Sequence, residues 1–378
     1  MSIINNPFIM EPQKKSYKNS AIAIVVLIVL AIIFVLIVSS SGKTAAGPLK
    51  IGVIIPRTGD AAITGEKIYK GVRIAESEIG SKAQFIYEDS HSKPTDAVTA
   101  AHKLLDVDHV DVIIGTYVPE EAMAVAPAAK AAGKFVFTFS YCSDAFAQYD
   151  NLFCGYPTAE DQIKTAFKAI TDAGVKKMAI VDSNSDFGIN SQKVVEKYAP
   201  ELGYSIVHND LVKDLKDFRT TAAKIKSAGA DAVFTATDAP SGALLLAKQL
   251  KEAGFNGMRI TFIDVDTKNL KDFGSSVEGT LAPGIAPSNF SQHFMDAFKK
   301  ANTIDPDYTS ALGFDVAHYV VGAMEKGVSG GANVGEQVKS YAYENPAIKN
   351  FKYKDDRTVI YDMELWTVKN GEYVKYGK

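Results

Sequence analysis

One string in the chain has the spacing of a catalytic serine: Gly327-Val328-Ser329-Gly330-Gly331 fits G-x-S-x-G. A nucleophile elbow needs a strand before it and a helix after it, so that the hydroxyl stands at the end of a sheet. Here a helical pattern precedes the string, which therefore reads as a loop ending a helix. The histidines at 91, 102, 109, 208, 293 and 318 lack zinc-ligand spacing. No G-x-G-x-x-G follows a strand and no P-loop occurs, so dinucleotide and nucleotide chemistry lack support. The net charge is −3 with both signs interspersed, which gives no basic face for nucleic acid. Nucleophile, metal, cofactor and nucleic-acid chemistry thus lack support. Arg57 offers a different capacity. At the carboxyl end of a strand its guanidinium can hold a ligand carboxylate bidentately, or equally form a structural salt bridge with Asp60 or Glu66.

The elements that position such residues follow from the apolar pattern. Ile51, Val53, Ile54 and Ile55 form a short apolar run of the kind covered on both faces in a parallel sheet. Pro56, Gly59 and Asp60 break it, and a helix follows with apolar residues from Ile63 to Ile79 at roughly helical spacing. In an open α/β sheet, ligands meet the loops beyond the carboxyl ends of the strands, here Pro56 to Thr64. Further strands are expected near 83–88, 110–114, 134–139, 176–182, 203–212, 230–236, 258–263 and 279–285. Helices are expected near 61–79, 95–106, 119–132, 159–173, 187–202, 218–228, 240–254, 289–301 and 308–326. Pro94 and Pro119 suit first helical turns, behind Ser92 and Val118. Strand-like Ile348–Tyr353 and Tyr361–Val368 have no helix between them and suit a closing hairpin.

The stretch KIGVIIPRTGDAAITGEKIYKGVRIAESE, Lys50 to Glu78, resembles the opening of the type I periplasmic binding proteins, in their leucine/isoleucine/valine-binding branch. YEDSHSKPTDAVTAAHKLLDVDHVDVIIG (Tyr87–Gly115) and AVAPAAKAAGKFVFTFSYCSDAF (Ala124–Phe146) resemble the family's next blocks, in order. The resemblance runs with fading strength from about Leu49 to the C-terminus. It implies an α/β fold of two Rossmann-like lobes with parallel sheets, joined by a three-segment hinge that closes on a ligand. Lobe one would comprise 49–155 and 286–345, and lobe two 156–285 and 346–378. About 330 residues is also more than one core usually accommodates.

The resemblance also implies a cleft. From the first loop come Thr64 and Arg57, the latter where the family usually carries an apolar residue. After the third strand, Tyr117 precedes the helix N-terminus at which relatives bind a carboxylate with a serine; here Pro119 replaces that serine and removes one N–H, and Glu120 and Glu121 bring negative charge. The two glutamates can equally complement the helix dipole and point to solvent. After the fourth strand, Ser140 and Cys142 align with two contacting positions, although a turn role is the alternative and a thiol bonds only weakly. From lobe two, Phe187 aligns with an aromatic that covers the ligand, or is ordinary core. Asp238 is either a cleft residue or an N-cap. Asp266, with Asp264 as competitor, falls at the position that holds a ligand ammonium. A cleft richer in acid than the family pattern implies an amine-bearing ligand of amino acid or amide type, with no cofactor and no metal.

Ala21 to Val38 is wholly apolar. At 1.5 Å per residue it spans roughly the 30 Å hydrocarbon core with its flanking serines. That is long for a cleaved signal, whose best site would lie near Thr44–Gly47. Lys14, Lys15 and Lys18 precede it, so residues 1–19 are expected in the cytoplasm, 20–40 in the membrane and 41–48 as a tether to an extracytoplasmic domain. Cys142 and Cys154 can bridge outside the cell or stand as two thiols. Asn289-Phe290-Ser291 fits a glycosylation acceptor, meaningful only in an organism that glycosylates. The expected function is solute binding for ABC permease subunits, not enzymatic. The alternative is a ligand-sensing ectodomain of a membrane receptor or signalling assembly.

Overall fold

A computed structural model describes residues 47–377, except 142–143, 172, 238–239, 262–269, 271, 286–288 and 328–333; the side chains of 144, 168–169, 186, 240, 334 and 336–337 are likewise undescribed. Pro48 to Lys378 forms one compact unit. Its first half runs β1 (Leu49–Ile55), α1 (Ala62–Ile79), β2 (Ala83–Asp89), α2 (Pro94–His102), β3 (Val112–Gly115), α3 (Pro119–Ala131), β4 (Val136–Thr138) and β5 (Leu152–Cys154). All five strands pair in parallel, in the order β2-β1-β3-β4-β5. The expected double cover of β1 is present: Ile51, Val53 and Ile55 enter one core, while Ile54 enters another with α2 and α3. Gly52 lies on the second face, where a Cβ would sit 3.0 Å from Leu104.

The chain continues through α4 (Ala159–Thr171), β6 (Lys177–Ser183), α5 (Asp186–Glu201), β7 (Ser205–Val212), α6 (Arg219–Ser227), β8 (Ala232–Thr235), α7 (Pro240–Glu252), β9 (Met258–Thr261) and β10 (Leu281–Gly284). After these come α8 (Gln292–Ala301), α9 (Tyr308–Gly327), α10 (Val334–Ser340), β11 (Lys352–Tyr353), β12 (Val359–Ile360), β13 (Glu364–Lys369) and β14 (Glu372–Lys375). The second sheet has the order β14-β13-β10-β9-β8-β6-β7. It is parallel from β7 to β10, and the antiparallel β13–β14 hairpin closes its far edge. Met178 and Ile180 feed one of its cores, Ala179 and Val181 the other.

Helices α1 and α9 meet backbone to backbone. A Cβ on Gly71 would lie 1.8 Å from the Ser310 carbonyl oxygen, and one on Gly313 would lie 2.5 Å from that of Ile68. Only glycine permits that approach, which carries α9 across the first sheet.

Two local expectations need correction. The segment from 346 was assigned to the second lobe, but Phe351, Tyr353, Val359 and Tyr361 pack in the first core, and Thr358 bridges to Cys154 at the β5 edge. The return to the second sheet comes only at β13. Pro94 does open α2, but behind Lys93; Ser92, with φ 58°, instead accepts the Ala61 N–H and donates to the Thr58 carbonyl.

Candidate binding cleft

On the first sheet, the loop after β1 is organised by Asp89 at the end of β2. Its carboxylate accepts the N–H groups of Arg57 (2.8 Å), Thr58 (3.3 Å) and His91 (2.8 Å), and the Thr58 hydroxyl (2.8 Å). Burial opposes ionisation, yet these donors outweigh it and hold the Asp89 carboxyl below its ordinary range. Gly65 seats α1 against this loop, since a Cβ there would fall 1.9 Å from the Pro56 carbonyl oxygen. Thr64 is half-buried in the first turn of α1. Arg57 points along the same helix: its guanidinium lies 3.2 Å from Glu66 and 3.8 Å from the centre of the Tyr69 ring. Of the two structural partners the sequence offered, Glu66 is the one that it meets.

Beyond β3 and β4 the rim is a buried polar network. Thr116 takes φ 61° and donates its N–H to Ile54. The Thr138 hydroxyl donates to the Thr116 carbonyl at 2.7 Å and accepts the Ser140 N–H at 3.0 Å. Ser140 is 2% exposed, and its own hydroxyl has no partner among the described residues. A buried hydroxyl left unpaired is costly. Tyr117 is half-buried against the first core, and Cys142 lies outside the described residues.

Pro119 does open α3 behind Val118, but Glu121 does not point to solvent. It is fully buried, and neither carboxyl oxygen makes a well-formed hydrogen bond with the described residues, although the Ser90 hydroxyl and Val118 amide lie nearby. Burial pushes the carboxyl up to about 7 against the Ser90 hydroxyl and Val118 amide, and Glu120 and Asp89 add to the rise. The expected solvated pair is thus divided, with Glu120 outside and Glu121 inside. Sequence reasoning missed this because a glutamate in a first turn ordinarily complements the dipole from the surface.

On the second sheet, Ser185 caps α5 by accepting the Gly188 N–H at 3.2 Å, and its hydroxyl lies 2.9 Å from that of Ser183. Asp182, fully buried, accepts the Ala236 N–H at 2.6 Å and so ties the end of β6 to the end of β8; burial raises its carboxyl well above the ordinary range. Sequence reasoning did not single it out. Asp238, Asp264 and Asp266 lie outside the described residues. Phe187 is half-buried, and its ring meets Tyr141 of the first sheet edge-on at 5.2 Å between centroids. The structure thus brings the Ser140–Tyr141 loop and Phe187 together across the two sheets, and leaves Arg57 engaged with its own helix.

Among the described residues no three histidine, cysteine or acidic side chains form a metal site. Glu78 receives both His293 (3.0 Å) and His318 (3.1 Å), while His91, His102 and His208 each face an aspartate. Cys154 is 1% exposed and disulfide-bonded; the one other cysteine in the sequence is Cys142. Gly327 ends α9, and the rest of the G-x-S-x-G string, 328–331, lies outside the described residues.

The periplasmic binding protein family matches residues 48–372. The chain belongs to that family. A Leu/Ile/Val-binding protein homologue of Brucella suis is 26% identical over 230 residues, 56% of this chain and 57% of that protein. The chain thus aligns with a little over half the length of that curated relative. A leucine-binding protein from Thermotoga maritima superposes with a TM-score of 0.74 at 22% identity, over 87% of this chain and 98% of that one. A solute-binding protein of an ABC transporter from R. palustris, solved with 4-hydroxybenzoate, gives 0.73 at 24% identity, over 87% and 95%. These two likenesses establish the fold of type I periplasmic binding proteins. The relatives are binding proteins, not enzymes.

Proposed function

We propose that the chain is the extracytoplasmic solute-binding component of an ABC transporter, and that it captures a small amine-bearing solute of amino acid or amide type between its two sheets. The observation that carries this is the meeting of Phe187 with Tyr141, the residue that follows Ser140, whose buried hydroxyl has no partner among the described residues. Aromatic side chains together with an unsatisfied polar group are the composition of a small-ligand site. A ligand that touches both rims binds the closed arrangement better than an open one, and that difference drives closure. The amine follows from the acidic residues Asp238 and Asp266, proposed for the second wall, and from the carboxylate site of α3 being altered by Pro119 and by the buried Glu121. Thr64, Tyr117 and Cys142 are proposed to complete the first wall.

The apolar segment 20–40 is proposed to hold the protein on the membrane, with 1–19 cytoplasmic and the binding unit outside, where permease subunits meet it. Among the described residues no helix is long and apolar enough to cross a membrane, and segment 20–40 lies outside them. A thermal-shift screen against amino acids, amides, polyamines and aromatic acids tests the reading, because a ligand bound only by the folded state raises the melting point. The expected result is stabilisation by an amine-bearing solute that Ser140→Ala weakens. Stabilisation by purely anionic solutes alone would refute the amine, and indifference to every solute would refute solute capture.

A further inference from the structure

At the end of the first sheet remote from the cleft, the segments leading into β4 and β5 frame a second cavity, of about 380 Å³. Lys130, Gly133, Lys134, Asp150 and Asn151 line it from those segments, Gly335 and Lys339 from α10, and Arg357 from the turn between β11 and β12. Four cationic side chains, Lys130, Lys134, Lys339 and Arg357, line this space; Lys130 and Arg357 both act on Asp150, and Lys339 has an interaction of its own. Lys130 pairs with Asp150 at 2.9 Å, and Lys134 approaches Asp111 only to 3.8 Å. Phe135 and Phe153 supply an aromatic floor, their rings 5.9 Å apart.

Two buried polar atoms in this wall lack partners among the described residues. Arg357 is fixed through its backbone, whose carbonyl accepts the Cys154 N–H at 2.9 Å and whose N–H donates to Lys354 at 3.0 Å, yet its Nε has no acceptor. Asn151 is 5% exposed; its amide nitrogen donates to the Ala126 and Lys134 carbonyls at 2.9 and 3.2 Å, which fixes its orientation, and Oδ1 has no donor. An orphan donor on a cation and an orphan acceptor in one cavity call for a ligand that is anionic and also carries a hydroxyl. A carboxylate supplies acceptors alone, whereas a hydrogenphosphate or a phosphate monoester beside a hydroxyl supplies both. Positive charge gathered at a concave wall suits a polyanion, and the volume exceeds a single phosphate, leaving room for a short organic part on the phenylalanine floor.

We propose that this cavity binds a phosphate-bearing small anion, independently of the cleft. The probes are inorganic phosphate, pyrophosphate and glycerol phosphate, titrated calorimetrically into the full-length chain at low ionic strength, with propane-1,2,3-tricarboxylate, which has no hydroxyl, as the carboxylate control. Vesicles of phosphatidylcholine with and without phosphatidylglycerol separate a free phosphate from a lipid headgroup. The expected result is saturable binding of at least one phosphate probe or of the phosphatidylglycerol vesicles, weakened at least tenfold by Lys134→Glu and by the milder double change Lys130→Gln with Lys339→Gln. Both variants should keep the wild-type melting point and the wild-type response to solutes of the cleft, so a failure here is distinguishable from a failure of the proposed transport role. Binding of propane-1,2,3-tricarboxylate as tight as that of the phosphates, binding unchanged in a folded variant, or no saturable binding of any probe would each overturn the proposal.

Discussion

The ring of Tyr141, in the loop after β4, meets the ring of Phe187, in the first turn of α5, at 5.2 Å and 61°, and so joins the carboxyl-end rims of the two sheets. An edge-to-face pair of this kind is worth about 0.5–1.5 kcal/mol beyond its buried area. Removing it by Phe187→Ala or Tyr141→Ala should shift the protein toward an opened arrangement and weaken solute binding by roughly three- to tenfold. Tyr141→Phe keeps the ring and should lose less than Tyr141→Ala. Small-angle scattering with and without ligand reads the first effect, and titration reads the second. An unchanged scattering profile and affinity in both alanine variants would show that the contact is incidental.

What was legible in the sequence was the part fixed by alternation and punctuation. Ile51, Val53, Ile54 and Ile55 announce a strand covered on both faces because nothing else justifies so many adjacent β-branched residues, and each enters a core. Pro119 sets the start of α3 because its ring tolerates the first helical position. Less legible was which sheet receives a short strand. Tyr353, Val359 and Tyr361 mark an apolar hairpin, but the bridge from Thr358 to Cys154 that docks it on the first sheet is a long-range pairing with no local signature. In the cleft, Ser140 was singled out by the family resemblance alone, whereas the buried states of Glu121 and Asp182 ran against residue type.

Asp315 on α9 is fully buried and anchors the chain where it leaves α10 for the β11–β12 hairpin. Its two oxygens accept the Ala347 N–H (2.6 Å), the Ile348 N–H (2.7 Å) and the Tyr343 hydroxyl (2.9 Å). Asp315→Ala would strand two buried amides, each at about 1–3 kcal/mol. A loss of about 3 kcal/mol is expected in urea unfolding. A loss below about 1 kcal/mol would mean that water replaces the carboxylate without difficulty.

Glu121 should make stability fall as pH rises. Its folded carboxyl is raised by burial to about 7, above the ordinary glutamate value. Its contribution is therefore complete below the unfolded pKa of about 4.3 and is lost progressively as pH climbs through about 7. Glu121→Gln, which imitates the protonated acid, should flatten the melting temperature between pH 5 and about 8 relative to wild type. The two profiles running parallel over that window would show that the group is solvated or paired.

The disulfide of Cys154 should leave no thiol to titrate. Ellman's reagent on the denatured, unreduced protein is expected to find none among the two cysteines. Reduction should lower the melting point, since a native disulfide contributes roughly 2–4 kcal/mol. A full equivalent of thiol in fresh protein would contradict the bond.

Arg57 separates a structural from a ligand-binding guanidinium. It lies 3.2 Å from Glu66 and over the Tyr69 ring, and both ion-pair side chains are more than a third exposed, 38% and 42%. Solvent screening at that exposure leaves the pair at about 0.5 kcal/mol, and the ring adds about 0.5–1. Arg57→Ala should therefore cost about 1 kcal/mol of stability while solute affinity changes by no more than about twofold. A guanidinium clamping a ligand carboxylate would behave oppositely: truncating a buried charged partner costs about 2–5 kcal/mol of binding, or at least tenfold in affinity. Comparing the alanine variant with Arg57→Lys sharpens the distinction, because lysine retains the charge beside Glu66 but loses the planar stack on Tyr69. Affinity preserved in both variants, with stability ordered wild type, lysine, alanine, is the outcome expected of a residue that braces the first cleft loop; a tenfold loss of affinity in both would move Arg57 into the ligand's own coordination.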